Sequence, residues 1–170
     1  VRVEVAADGE ILVLDAGFAG YLGQAAPAGD VLRTGDLGHL DSDGFLYLTG
    51  RRRDAFITAF GRNVSPGWVE RELMLEGSIA QAAVFGEARP FNVAVLRPTD
   101  GAQPIDVDAA IARVNRGLPD YARVTRWVAT AEGFSPANGL LTATGRVRRA
   151  EVARRFESAL DSLYREARSS

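Results

Sequence analysis

Hydrophobic and polar positions alternate from the start of the chain. VRVEVAADGEILVL (residues 1–14) holds two short runs on either side of Asp8-Gly9, a dipeptide suited to a tight turn, and predicts a β-hairpin. GFAGYLGQAAPAGD (17–30) breaks the alternation and reads as a Gly/Ala/Pro-rich connection. TGDLGHL and FLYLTG, separated by DSDG, predict a second hairpin that ends near Gly50. AFITAFGRNVS adds a short strand, a turn at Gly61 and a polar stop. The spacing then changes to that of a helix. Ser65 is placed as N-cap with Pro66 at the first helical position, Trp68, Val69 and Leu73 share one face, and Gly77 ends the helix. IAQAAVFG and FNVAVLRP read as buried strands. Asp106 is a candidate cap for a helix with Val107, Ala110, Ile111, Val114 and Leu118 on one face, which Gly117-Leu118-Pro119 terminates. RVTRWVAT is a further strand, and a last helix from about Arg149 to Ala167 aligns Val152, Phe156, Leu160 and Leu163. The order is hairpins first, then roughly β-α-β-β-α-β-α after Gly50, an α+β chain with a boundary at Arg51 to Asp54.

Composition narrows what this chain can do. Its 170 residues are 46% hydrophobic and 25% charged, as in ordinary globular domains. No apolar run is long enough to span a bilayer, and no signal-peptide pattern opens the sequence. The chain begins at Val1 in what reads as mid-strand, so a piece of a longer protein is expected. Cysteine is absent, which removes thiolate nucleophiles, disulfides and thiolate metal sites. His39 is the only histidine and reads as a solvated loop residue, so no metal site is expected. The formal net charge is −2, and all 20 basic residues are arginines. Nucleic-acid binding would show as a basic excess, which is missing. Glu70 is expected in the first turn of its helix, where the dipole favours an anion. Trp68 and Trp127 are expected as core or half-buried anchors, and Arg52 as part of an exposed basic face.

The segment LRTGDLGHLDSDGFLYLTGRRRDAFITAFGRNVSP carries more specific information. Thr34-Gly35-Asp36 and Gly50-Arg51-x-x-Asp54 stand in order, followed by the Gly61 turn. Gly9-Glu10-Ile11 and Gly20-Tyr21-Leu22 precede them; Leu118-Pro119-Asp120-Tyr121 and LTATGRVRR (141–149) follow. This series resembles the junction between the large and small domains of AMP-forming acyl-activating enzymes: the acyl-CoA synthetases, luciferases and peptide-synthetase adenylation domains. The forms GRNVSPGWVE and LLTATGRVRR look more like the fatty-acyl branch. The resemblance implies that residues 1–50 end a large adenylate-forming domain, that 51–54 form a hinge, and that 55–170 form a small α+β C-terminal lid domain. It also implies a cytoplasmic ligase that joins a carboxylic acid to a thiol through an acyl-adenylate. ATP with Mg would be bound mostly by parts that precede this chain. CoA, or the phosphopantetheine of an acyl carrier protein, would be the acceptor.

Residue by residue, the implied roles make chemical sense. A carboxylate can accept hydrogen bonds from both hydroxyls of a ribose diol, which suits Asp36, and Gly35 beside Thr34 lets backbone approach a nucleotide. Arg51 can donate a fork of N–H groups to ribose or phosphate oxygens. Arg53 stands where the family has its hinge residue. Gly61 resembles the glycine that lines the pantetheine passage, and Arg62 beside it could meet a CoA phosphate or simply face solvent. Arg146 holds the place of a lysine that in the family reaches the reacting carboxylate and α-phosphate, an electrostatic task. Arginine keeps the charge but replaces a compact ammonium with a planar fork. Three readings stay open at this point: the same catalytic task, a slowed or lost first step in a non-catalytic binding or scaffolding module, or a helix-capping cation.

Overall fold

A computed structural model describes residues 2–15 and 31–166. They form two compact units, residues 1–65 and 66–170. The Gly/Ala/Pro-rich connection, with Gly20-Tyr21-Leu22 inside it, and Ala167 lie outside the described residues.

The first unit is a four-stranded antiparallel sheet in the order β1 (Arg2–Val5), β2 (Glu10–Leu14), β3 (Val31–Leu40), β4 (Leu46–Arg51). Both expected hairpins form. The first closes on a turn in which the Gly9 N–H donates to the Ala6 carbonyl at 2.8 Å. The second closes on Asp41, whose carboxylate accepts the N–H groups of Asp43 and Phe45 at 3.0 and 2.9 Å. The Phe45 N–H chiefly holds that carboxyl below the usual range, and the same carboxylate pushes the Tyr47 hydroxyl up. His39 is not in a loop. It lies on β3, half-buried, stacked on the Tyr47 ring with centroids 5.3 Å apart.

After β4 the chain makes a short 3-10 turn at Arg52–Asp54 and a two-stranded hairpin, β5 (Phe56–Ile57) with β6 (Asn63–Val64). This hairpin clusters with the first compact unit, residues 1–65. The physical reason is side-chain anchoring: the Arg62 guanidinium donates to the Ala7 carbonyl, and Asn63 Nδ2 donates to the Asp8 carbonyl at 2.9 Å. Sequence spacing carries no sign of such contacts.

The second unit is a three-stranded sheet, β7 (Ile79–Phe85), β8 (Asn92–Pro98) and β9 (Val124–Ala129), with four helices. β7 and β8 pair antiparallel; β8 and β9 pair parallel across the helix α2 (Pro104–Gly117). The N-cap of α2 is Gln103, not Asp106. Asp106 is the N3 residue of a capping box and accepts the Gln103 N–H at 2.8 Å. Helix α1 (Pro66–Met74) buries Trp68, Val69 and Leu73 as expected, and Trp127 is a half-buried anchor that donates its indole N–H to Asp108 at 2.7 Å. The final helix is two: α3 (Arg149–Arg155) and α4 (Glu157–Glu166) meet at Phe156, which packs against a core of Val93, Val95, Phe134, Leu140, Val152 and Leu160. Tyr164 closes the same core, and burial pushes its hydroxyl up to about 12 against the opposing pull of Arg89.

Glu70 is the main correction in this unit. It is not in the first turn of α1 and it is buried. Its carboxylate accepts the Val84 N–H at 2.8 Å and pairs with Arg149, which immediately follows the Arg146 loop and opens α3. Removing one partner of a buried pair leaves the other uncompensated. Glu70→Ala should lower unfolding free energy by about 2 kcal/mol, less than for a fully buried pair because Arg149 is one-third exposed. A urea midpoint equal to that of wild type would contradict this.

Candidate functional site

The site in the first unit is built on a bulge. Leu12 pairs with Arg33 and Glu10 pairs with Leu37, so a single residue of β2, Ile11, faces three residues of β3: Thr34, Gly35 and Asp36. The candidate nucleotide motif is therefore the extra stretch that a bulge pushes out of the ladder, a device that re-aims side chains. Gly35 has φ +72°, the left-handed region, and its N–H turns to the Glu10 carboxylate at 3.2 Å. Thr34 Oγ1 donates to the Ile11 carbonyl at 2.8 Å and accepts the Asp36 N–H at 3.1 Å, replacing the lost ladder bonds. Gly35→Ala would place a Cβ on that left-handed backbone and should destabilise the chain by ~1–2 kcal/mol, measured by urea unfolding.

Asp36 stands directly across from Arg51 on β4, and its Oδ1 meets Arg51 Nε at 2.8 Å. The pair is accessible, with the Asp36 side chain 29% and the Arg51 side chain 59% exposed. Gly35, Arg51, Arg52 and Arg53 line a concavity of about 540 Å³. Arg53 is the most open of these arginines, with Asp54 3.9 Å from its Nε. Arg52 is not simply part of an exposed basic face: Nη1 donates to Glu10 at 2.6 Å and Nη2 lies 3.3 Å from Asp8.

Two further expected residues sit on the β5–β6 hairpin. Gly61 occupies its turn with φ +73°, and its N–H donates to the Thr58 carbonyl at 3.0 Å. Arg62 is tied to the β1–β2 turn by the bond to Ala7. The exposed side chains of Ile57 and Phe60 flank the turn.

Arg146 belongs to the second unit. Within LTATGRVRR, residues 141–147 form a closed loop, and Arg149 opens α3. Thr142 N–H donates to the Arg146 carbonyl at 2.8 Å, Gly145 N–H to the Thr142 carbonyl at 2.9 Å, and Leu141 and Val147 form an antiparallel bridge. Thr142 Oγ1 also accepts the Arg146 N–H at 3.0 Å. The loop is fixed entirely by backbone and threonine groups, which leaves the exposed Arg146 side chain without an ion pair among the described residues. Arg146 lies before α3, so it is not a cap of that helix, whose N-cap is Arg148.

No group of three His, Cys, Asp or Glu among the described residues could hold a metal ion. No helix among the described residues is long and apolar enough to cross a membrane.

The first unit thus carries a basic concavity beside a bulged Thr-Gly-Asp, and the second carries an exposed arginine on a closed loop. Residues 53–168, more than half of the chain, match the family model of the AMP-binding enzyme C-terminal domain. The chain belongs to that family. Family relatives extend the likeness upstream of residue 53. A long-chain-fatty-acid–CoA ligase of Mycobacterium tuberculosis, FadD15, is 30% identical over 95% of this chain and 32% of its own length. The long-chain-fatty-acid–CoA ligase ACSBG1 of Bos taurus is 29% identical over 89% of this chain and 27% of its own. This chain thus spans about a third of the length of the curated relatives it matches. Among solved structures, the adenylation domain of carboxylic acid reductase from Segniliparus rugosus, in complex with AMP and a co-purified carboxylic acid, aligns with TM-score 0.65 at 21% identity. It covers 81% of this chain and 24% of its own. The amide bond synthetase McbA of Marinactinospora thermotolerans aligns with TM-score 0.51 at 31% identity, over 76% of this chain and 25% of its own.

The sequence did not single out Glu10 as a site residue. It stands in the alternating run EILVL at a position that turns out to be 2% exposed, and a charge at an inward-facing strand position was the available signal.

Proposed function

We propose that this chain is the C-terminal part of an AMP-forming acyl-CoA ligase whose acid is fatty. In the first step a carboxylate oxygen attacks the α-phosphate of ATP, pyrophosphate leaves, and an acyl-adenylate forms. In the second, the thiol of CoA, or of a carrier's phosphopantetheine, attacks the acyl carbon; AMP leaves and the thiol proton goes to solvent. The observation that carries this reading is the Thr34–Asp36 bulge facing Arg51, which presents an accessible carboxylate held by one arginine over a basic concavity. The two long-chain-fatty-acid–CoA ligases that align with nearly the whole chain support the choice of acid and acceptor.

In this scheme Asp36 accepts the ribose hydroxyls, with Thr34 and Gly35 shaping its approach, and Arg51 orients the carboxylate while offering spare N–H groups to the nucleotide. Arg146 brings fixed positive charge to the reacting carboxylate and α-phosphate, where negative charge accumulates. Arginine suits this task because it stays protonated throughout. Arg53, open and weakly paired, is the swivel by which the second unit presents either the Arg146 loop or another face. The Gly61 turn with Arg62 borders the path of the thiol. Magnesium would accompany ATP; no group of three carboxylates among the described residues could cage it.

The full-length parent, given ATP, a long-chain fatty acid and CoA, should release AMP and pyrophosphate in step with acyl-CoA. Release of ADP and phosphate, or acid-independent ATP consumption, would refute the proposal.

A further inference from the structure

None of these roles uses Glu10, although it is a buried acidic residue of the first unit. Its side chain is 3% exposed at the first position of β2. Oε2 accepts from the guanidinium of Arg33 and from Arg52 Nη1 at 2.6 Å, and Oε1 accepts the Gly35 N–H at 3.2 Å. A carboxylate out of water is retained only where several donors replace its hydration, and here three converge on it.

The consequence lies in charge placement. Arg33 and Arg52 share one carboxylate oxygen, so the two guanidiniums stand side by side and repel. Arg52 adjoins Arg51, the partner of Asp36. With Glu10 neutral, Arg52 loses its shortest ion pair, keeps only the 3.3 Å approach to Asp8, and is free to turn towards the Asp36 carboxylate. A second guanidinium on Asp36 would occupy the lone pairs that a diol needs. The Gly35 N–H would also lose a charged acceptor at the centre of the bulge.

We propose that Glu10 is a positioning residue for the nucleotide: it fixes the bulge through Gly35 and withholds Arg52 from Asp36. This inference rests on the ribose role proposed for Asp36. A residue that served the fold alone would, when changed, lower the melting temperature and leave affinity to follow stability. A residue that places charge has a different signature, because deleting the surplus cation repairs the loss.

The test uses the full-length parent with AMP binding by calorimetry and steady-state kinetics with varied ATP. Glu10→Gln keeps the shape and an acceptor for Gly35 while removing the charge. It should weaken AMP and raise the KM for ATP about tenfold, with kcat within about twofold of wild type. The double variant Glu10→Gln with Arg52→Gln should recover AMP affinity to within about threefold of wild type. It carries the same test if the single variant folds poorly. Unchanged AMP affinity in Glu10→Gln overturns the proposal, and so does a double variant as weak as the single. Wild-type binding of AMP with an unaffected Glu10→Gln removes this inference alone; failure of the wild-type parent to bind AMP removes the proposed function and this inference with it.

Discussion

Asp36→Ala in the full-length parent should lower kcat/KM for ATP by about a hundredfold to a thousandfold. A hydrogen bond to a charged acceptor contributes roughly 1.5–3 kcal/mol, and a ribose diol donates two of them to one carboxylate. The bulge supports a loss of this size. Thr34 and Gly35 are bonded to Ile11 and Glu10 independently of the Asp36 side chain, so alanine should leave the backbone in place. Arg51 is 59% exposed, and its unpaired guanidinium would remain hydrated, which limits the cost to stability to less than about 1 kcal/mol. Asp36→Asn retains one acceptor oxygen and should fall between, at about a tenfold loss. Kinetics with varied ATP and AMP calorimetry check both variants. A tenfold drop in melting-corrected protein yield with unaltered kcat/KM would mean that Asp36 serves folding and not the nucleotide.

Arg146→Ala should slow acyl-adenylate formation by about a hundredfold to a thousandfold, the cost of removing one preorganised electrostatic partner from a reacting centre. Thioester formation from a supplied acyl-adenylate should stay within about twofold of wild type, since the proposed cation acts only in the first step. The loop makes this a clean experiment. Its closure depends on Thr142, Gly145 and main-chain groups, and no described contact uses the Arg146 side chain. Arg146→Lys keeps the charge and should retain most of the adenylation rate. Rapid-quench measurement of pyrophosphate release separates the two steps. Equal adenylation rates in wild type and Arg146→Ala would sink the catalytic assignment.

The fold was legible where short-range chemistry decides it. Asp8-Gly9 and Asp43-Gly44 announce their hairpins because tight turns demand those residues. The Ser65-Pro66 start announces α1 in the same way. What stayed hidden depends on register or on distant partners. Thr34–Asp36 reads as a turn or a strand until β2 is laid beside β3, because a bulge is a property of the pair. Glu70 reads from local spacing as an anion near a helix N-terminus, yet it lies past the first turn and its structural role comes from Arg149, 79 residues away in sequence. The same holds for the anchoring of the β5–β6 hairpin. Arg62 and Asn63 join the β5–β6 hairpin to a turn 55 residues upstream, and no spacing rule reports that. The closure of the Arg146 loop arises from threonine hydroxyls and main-chain groups, which a sequence shows only as composition.

A thermodynamic cycle puts the ribose grip to direct test: AMP and its 2′,3′-dideoxy analogue, each bound to the wild-type parent and to Asp36→Ala. If the carboxylate on the β3 bulge holds the diol, removing the hydroxyls weakens binding to wild type by about a hundredfold and to the alanine variant hardly at all. The same penalty in both proteins would show that the diol is held elsewhere and that the bulge is not the nucleotide grip.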